Sequence, residues 1–91
     1  MDQHKAGWQD FLQCCLKQKN PDELAKLLGF YLTIEEKENV IDRYLLTSAL
    51  LEGKLTQREI SKQLHVSIAK ITRGSNALKI VDNKLKSNLQ K

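Results

Sequence analysis

Very few residues in this chain can interrupt a helix, because its 91 residues include only one proline and four glycines. Apolar side chains recur every three or four residues along most of the sequence, which is the spacing of one face of an α-helix. No internal repeat, low-complexity run or flexible linker separates these segments. The pattern predicts an all-α fold, and the length leaves room for one domain.

Capping residues divide the pattern into six predicted helices. Asn20 caps a second helix that Gly29 ends, and Thr33 with Glu36 forms a capping box for a long third helix that ends at Gly53. The first helix covers about residues 7–18 and carries a stripe expected in the core: Trp8, Phe11, Leu12, Cys15 and Leu16. The third carries a similar face, Val40, Ile41, Tyr44, Leu45 and Ala49, and Asp82 caps a last short helix with Leu85 and Leu89.

Only three residues, 65–67, separate the fourth and fifth predicted helices. Thr56 and Glu59 form a capping box for the fourth helix over about residues 57–64, and Ser67 caps the fifth. A connection of this length is typical of a helix-turn-helix motif, although an ordinary two-helix corner has the same spacing. His65 is expected to take the left-handed backbone conformation in the turn, which His tolerates better than most residues do. The apolar residues expected to hold the two helices together are Leu55, Ile60, Leu64, Val66 and Ile71, with the small Ser61 allowing a close crossing.

Positive charge is concentrated in the same segment. Residues 54–79 hold six basic and one acidic side chain, a net +5, whereas residues 1–53 carry −3 and residues 80–91 carry +2. Such a patch is suited to a polyanion, although a solvated basic face has the same composition. The outward side chains of the fifth helix are of the types that contact thymine methyls, base edges and phosphates: Ile68, Ala69, Lys70, Thr72 and Arg73. Lys62, Ser67 and Lys79 also belong to the predicted DNA-binding set.

Gly74 lies in the middle of the predicted fifth helix, where a glycine costs about 1 kcal/mol relative to alanine. Two interpretations stay open. The glycine allows a flat ligand or another backbone to approach closely, with Arg73 holding an anion, or it simply ends the helix.

Several functions are excluded by what the chain lacks. Cys14 and Cys15 are adjacent and are interpreted as two buried thiols rather than as a disulfide or half of a metal site. His4 and His65 have no partnered nucleophile or ligand at the required spacing, so neither an enzyme nor a metal site is predicted. No secretion signal or membrane-spanning helix is expected, which favours the cytoplasm. A chain this short buries little surface, so an oligomer is expected.

Two stretches resemble the bacterial tryptophan repressor family: LTQRE at residues 55–59 and ITRGSNALK at residues 71–79. The resemblance extends through Trp8, Leu32, Thr33, Arg43 and the LLEG of residues 50–53, with no large insertion between residues 32 and 79. It implies an intertwined homodimer of six-helix chains. The single domain would cover residues 1–91, with the helix-turn-helix at about 56–79 and the dimerisation core at about 7–53 and 82–91.

The resemblance also implies a function. Members of this family repress transcription by binding a palindromic operator as dimers, with L-tryptophan as corepressor and no other cofactor. The chain is therefore expected to control tryptophan biosynthesis or uptake. On the DNA side the resemblance gives Arg58 a base or phosphate contact and places Ile68, Ala69 and Thr72 in the groove.

A ligand site follows from the resemblance, position by position. Arg73 would pair with the ligand carboxylate and Arg43 would stack on the indole, as guanidinium groups do with such partners. Gly74 would leave room for the ring. Thr33 would lie beside the ligand, and the backbone carbonyls of Phe30 and Leu32 would accept hydrogen bonds from its ammonium group.

Two residues depart from the family pattern. Ala77 stands where a serine hydroxyl often lies near the ligand, so one hydrogen bond of about 0.5–1.5 kcal/mol is lost. Lys70 stands where the family often has threonine, and its charge should raise salt-sensitive affinity for any DNA. A related repressor that answers another ligand or none is therefore an alternative, and an all-α protein that binds other proteins is a second.

Overall fold

The computed structural model describes residues 2–90, which form six α-helices and no β-strand. The helices are α1 (Gln3–Leu16), α2 (Pro21–Tyr31), α3 (Ile34–Glu52), α4 (Gln57–Leu64), α5 (Ile68–Ile80) and α6 (Asn83–Leu89). The all-α prediction is thus confirmed. The chain divides into two compact units, Met1–Lys37 and Glu38–Lys91. Met1 and Lys91, the ends of the predicted domain, lie outside the described residues.

Three predicted helix boundaries in the first unit were wrong. Asp2 caps α1 by accepting a hydrogen bond from the His4 N–H at 3.0 Å, so this helix begins at Gln3 rather than near residue 7, and it ends two residues early, at Leu16. Gly29 does not end α2, because only Gly53 among the described glycines has a positive φ. The helix continues to Tyr31, and the Leu32 N–H donates to the Leu28 carbonyl at 2.8 Å.

Aromatic side chains connect α1 and α2. The Phe11 ring stacks on Trp8, with centroids 5.8 Å apart, and meets Tyr31 edge-on at 5.4 Å. The predicted core stripe on α1 is nevertheless not buried within one chain, since Trp8 keeps 60% of its surface exposed and Leu16 keeps 78%. Cys14 and Cys15 are free, as expected, but half-buried rather than buried.

The buried core lies in the second unit. It consists of Leu46 from α3, Ile60 from α4, Val66 from the following turn and Ile71 from α5. Leu55 and Leu64 pack against this cluster, so the residues predicted to hold the helix-turn-helix together do so. Gly53 ends α3 with φ +70°, as its position after the last apolar residue predicts.

The turn between α4 and α5 has the predicted conformation. His65 is left-handed, with φ 56° and ψ 41°. The Ser61 hydroxyl donates a hydrogen bond of 2.6 Å to the Val66 carbonyl, which satisfies a half-buried acceptor inside the turn. Ser67 caps α5 by accepting from the Lys70 N–H at 3.2 Å. The helix then runs through Gly74 to Ile80, so the interpretation of Gly74 as a helix end was wrong.

The described part of the chain contains neither a membrane-spanning helix nor a cluster of metal ligands. Among residues 2–90, no helix is long and apolar enough to cross a membrane. No group of three or more potential metal ligands comes together in the same range.

Candidate ligand pocket and DNA-binding surface

Gly74 lets α5 pack closely against α3. A Cβ atom added there would stand 2.5 Å from Cδ1 of Leu46, a distance that real side chains do not reach. Leu46 is 2% exposed. The glycine therefore allows α5 to rest on α3. This packing explains why a residue that is unfavourable in a helix stands at position 74.

A cavity of about 840 Å³ opens beside this crossing. Its volume falls within the usual range of small-molecule sites, and much of its wall is apolar. The wall is formed by residues of α3 and α5 and by two from the C-terminal part of the chain: Asn39, Val40, Arg43, Tyr44, Leu46, Thr47, Ser48, Lys70, Arg73, Gly74, Ala77, Leu78, Val81 and Leu89.

Four of the seven predicted ligand-binding residues line this one cavity: Arg43, Arg73, Gly74 and Ala77. The two arginines come from different helices. Both arginines are exposed, so a small molecule can reach them. The cavity thus combines apolar walls with two guanidinium groups, each able to bind a carboxylate or to stack on an aromatic ring.

The other three predicted ligand residues belong to the first compact unit. Phe30 is exposed at the end of α2, and its ring meets Tyr31 edge-on. Leu32 is the C-cap of the same helix. The Thr33 hydroxyl accepts the Glu36 N–H at 3.1 Å, so it serves as a helix cap in this chain.

Sequence reasoning missed most of the α3 wall. Asn39 lies four residues before Arg43, and Thr47 lies four residues after it, so both share its face of the helix. On α5, the predicted Ala77 follows Arg73 by four residues, and the missed Leu78 follows Gly74 by four. Helical spacing from the predicted residues of both helices would have found Asn39, Thr47 and Leu78 once α3 and α5 were paired. It would not have found Val81 and Leu89, which depend on the path of the chain after α5.

The charge of the cavity wall is positive. Arg43, Lys70 and Arg73 line it, and no acidic side chain is among the lining residues within the described chain. An anionic group is therefore favoured in this cavity, and the apolar walls suit a hydrophobic remainder.

The predicted DNA-binding residues lie on α4, on the turn and on α5. All are exposed: Arg58, Lys62, Ser67, Ile68, Ala69, Lys70, Thr72 and Lys79. Lys70 differs from the rest, because it also lines the cavity and its ammonium lies 3.8 Å from a carboxylate oxygen of Asp42 on α3.

Two capping boxes hold the starts of α3 and α4. The Glu59 carboxylate accepts the Thr56 N–H at 3.0 Å, while the Glu59 N–H donates to the Thr56 hydroxyl at 3.1 Å. The hydrogen bond with the Thr56 backbone is the main cause of a lowered pKa of Glu59, and the hydrogen bond with the Thr56 side chain lowers this pKa further. The same arrangement with Thr33 lowers the pKa of Glu36. The predicted starts of both helices are therefore confirmed at the level of individual hydrogen bonds.

Comparison with known proteins gives one consistent result. The family model described as Trp repressor protein matches residues 6–91. The chain is 49% identical over 90 residues to a Trp operon repressor homolog of Chlamydia trachomatis serovar D, covering 99% of this chain and 96% of that protein. It is 46% identical over 89 residues to the homolog of Chlamydia caviae, covering 98% and 88% respectively. It is 40% identical over 85 residues to the homolog of Vibrio vulnificus strain YJ016, covering 90% and 80%.

Proposed function

Because this chain belongs to the Trp repressor family, whose members are DNA-binding transcriptional regulators and not enzymes, we propose that it represses transcription in the cytoplasm as a homodimer on a palindromic operator, with L-tryptophan as corepressor. The genes for tryptophan biosynthesis or uptake are the expected targets. The observation that carries the proposal is the cavity between α3 and α5, which Arg43, Arg73 and Gly74 all line.

The cavity supports an amino acid with a large aromatic side chain. A carboxylate at Arg73 would form charge-assisted hydrogen bonds, and an indole would stack on the guanidinium of Arg43. The cavity is formed where α5 rests on α3. A molecule bound there would therefore contact both helices. A ligand that binds one arrangement of these helices more tightly shifts the population toward that arrangement, which is the requirement for a corepressor.

The helix-turn-helix supports DNA binding. Its two helices are held by the buried Ile60, Val66 and Ile71, while the opposite face of α5 is exposed. Ile68, Ala69 and Thr72 are proposed to enter the major groove, and Arg58 with nearby lysines to contact phosphates or bases. The net +5 of residues 54–79 provides the long-range attraction.

Dimerisation is supported by the apolar surface of the isolated chain. Fourteen large hydrophobic side chains are exposed, including Trp8, Phe30 and Ile34, whereas only four hydrophobic side chains in the described residues are buried. Single exposed apolar residues are ordinary, but this many on one small chain are typical of an interface. A second copy of the chain is the proposed cover, and it would supply the burial that one chain lacks.

A second candidate function rests on Ala77. This residue lines the cavity with a methyl group and cannot accept or donate a hydrogen bond. A repressor that responds to a different carboxylate, or to none, is therefore the competing proposal. The alternative of a protein-binding module without DNA is disfavoured, since the family is one of DNA-binding regulators.

Calorimetric titration with L-tryptophan, followed by operator binding with and without it, tests the proposal. We expect saturable binding near 1 μM, which corresponds to about −8 kcal/mol, and tighter operator binding in its presence. Operator binding with no response to tryptophan would favour the second candidate. Absence of operator binding under both conditions would contradict the proposal as a whole.

Two arginine variants separate the two surfaces. Arg73→Ala should weaken tryptophan binding by about 10- to 150-fold, the equivalent of a hydrogen-bonded charge worth roughly 1.5–3 kcal/mol, and should remove the response to tryptophan. Arg58→Ala removes the same side chain from the DNA face. This variant should retain tryptophan binding and weaken operator affinity. If Arg58 contacts a phosphate, the salt dependence of operator binding should also fall by about one counterion. Equal loss of both activities in either variant would contradict the division of roles.

A further inference from the structure

One ion pair joins α3 to α5. The Lys70 ammonium of α5 lies 3.8 Å from Oδ2 of Asp42 on α3, and this is the only salt bridge among residues 2–90. Their side chains are 45% and 35% exposed, so the pair is partly screened by solvent but not fully open to it.

The pair lies next to the two arginines of the cavity. Asp42 directly precedes Arg43 on α3, and Lys70 precedes Arg73 by three residues, less than one turn of α5. Lys70 is itself part of the cavity wall. The ion pair therefore connects the same two helices that carry the guanidinium groups, at the edge of the same cavity.

Helix stability does not explain either residue. Lys70 is the third residue of α5, where a positive charge opposes the helix dipole, and α5 has no acidic residue in its first turn. Asp42 lies inside α3, where aspartate is a weak helix former. The two charges are thus unfavourable in their own helices and gain their favourable interaction from each other.

We propose that the Asp42–Lys70 pair is a positioning device for the ligand cavity: it holds α5 on α3 with the cavity formed before the ligand binds, and it withholds the Lys70 charge from DNA phosphates. The inference rests on the proposed function, because L-tryptophan is the ligand that probes it. A preformed cavity binds its ligand with less loss of conformational freedom, so the pair raises ligand affinity. An ammonium held by Asp42 is not free for a phosphate, so the pair removes one cation from contact with DNA.

Asp42→Asn is the decisive variant, because two accounts predict opposite results. If Lys70 merely attracts the ligand carboxylate as a cation of the wall, removing the competing acid should strengthen tryptophan binding. If the pair positions α5, the same change should weaken tryptophan binding by about two- to fivefold, the range of a partly exposed ion pair. Titration calorimetry at low ionic strength distinguishes these results, and the difference from the unmodified protein should shrink at high ionic strength. Stronger binding by the variant would overturn the proposal.

DNA affinity gives a second readout. Without ligand, Asp42→Asn should bind operator DNA with a salt dependence steeper by about one counterion, because Lys70 is released to the phosphates. Glu38→Gln is the matched control: it removes one negative charge from the same helix one turn earlier, at an exposed position outside the ion pair. An equally steeper salt dependence with Glu38→Gln would show a general charge effect and would contradict the proposal.

A double-mutant cycle on thermal unfolding requires no ligand. Asp42→Asn, Lys70→Met and the combined variant should show a favourable coupling between the two positions that fades with added salt. Absent coupling would overturn the proposal even if tryptophan binds. Normal coupling with no tryptophan binding by the unmodified protein would instead place the failure in the proposed function, while the pair would still hold α5 on α3.

Discussion

Gly74 has two consequences that both follow from its missing side chain. It allows α5 to approach Leu46 of α3, and it forms part of the cavity wall beside Arg73. The sequence left a close approach and a helix end equally open at this glycine, and the structure shows a core side chain approaching it inside a continuous helix. The partner of that approach, the Leu46 side chain, could not be identified from the sequence, because it depends on how α3 and α5 cross.

Gly74→Ala is expected to weaken ligand binding more than it changes stability. The new methyl group would displace Cδ1 of Leu46, and the space into which that atom can move is the cavity that Leu46 lines. Overpacking costs about 1–3 kcal/mol, offset by about 1 kcal/mol from the better helix propensity of alanine. Thermal unfolding should therefore show a small loss of stability, while calorimetry should show clearly weaker tryptophan binding.

The matched control is Gly29→Ala in α2, where an added Cβ would meet nothing within 4 Å. This variant should gain about 1 kcal/mol of stability and bind tryptophan normally. Normal ligand affinity in Gly74→Ala would show that Leu46 moves elsewhere and that the glycine serves packing alone.

At the scale of helices, the sequence predicted starts better than ends. The starts of α2 to α6 follow from side chains that accept backbone N–H groups, such as Asn20, Ser67 and Asp82, and these interactions are local. Ends are less local, since a glycine stops a helix only when the chain must turn there. Gly53 adopts the required positive φ, whereas Gly29 remains inside a helix. The cavity wall was only partly predictable for a related reason, because it requires the relative placement of α3 and α5.

The capping boxes predict a specific dependence on pH. Hydrogen bonds from Thr33 lower the pKa of Glu36 in the folded chain, so its ionised carboxylate favours the folded state. This contribution is fully present above the ordinary glutamate pKa of about 4.3 and is lost as the pH falls through the lowered pKa of Glu36. Glu36→Gln should therefore flatten the fall in melting temperature over this range while lowering stability at neutral pH.

Glu35→Gln provides the control in the same first turn of α3, since its side chain makes no capping hydrogen bond among the described contacts. It should leave the pH dependence closer to that of the unmodified protein. Identical pH profiles for the two variants would show that the helix dipole, rather than the capping box, stabilises the charge.

At the scale of the whole molecule, periodicity indicates which helix face is apolar but not what covers it. The stripe on α1 was expected in the core of the chain, yet Trp8, Leu12 and Leu16 are exposed in the single chain. The same holds for Val40, Ile41, Tyr44 and Leu45 on α3. The buried core of one chain is small for independent stability, and in the proposed dimer these faces would supply the missing apolar surface.

Trp8 is the sole tryptophan of the chain and provides a direct test of this dimer. In the single chain it is 60% exposed and stacks on Phe11, so covering it with a second copy would move it into an apolar environment. Without ligand, dilution should shift its fluorescence to longer wavelength at the same concentrations at which sedimentation shows dissociation, and the melting temperature should depend on concentration. Trp8→Gln should promote dissociation at least tenfold, since burying a large apolar side chain contributes about 1.5–3 kcal/mol. Ile68→Gln, on the exposed face proposed to bind DNA, should leave the dimer intact and weaken only operator binding. A chain that sediments as a folded monomer at every concentration would contradict the dimer, because the exposed faces of α1 and α3 would then have no cover.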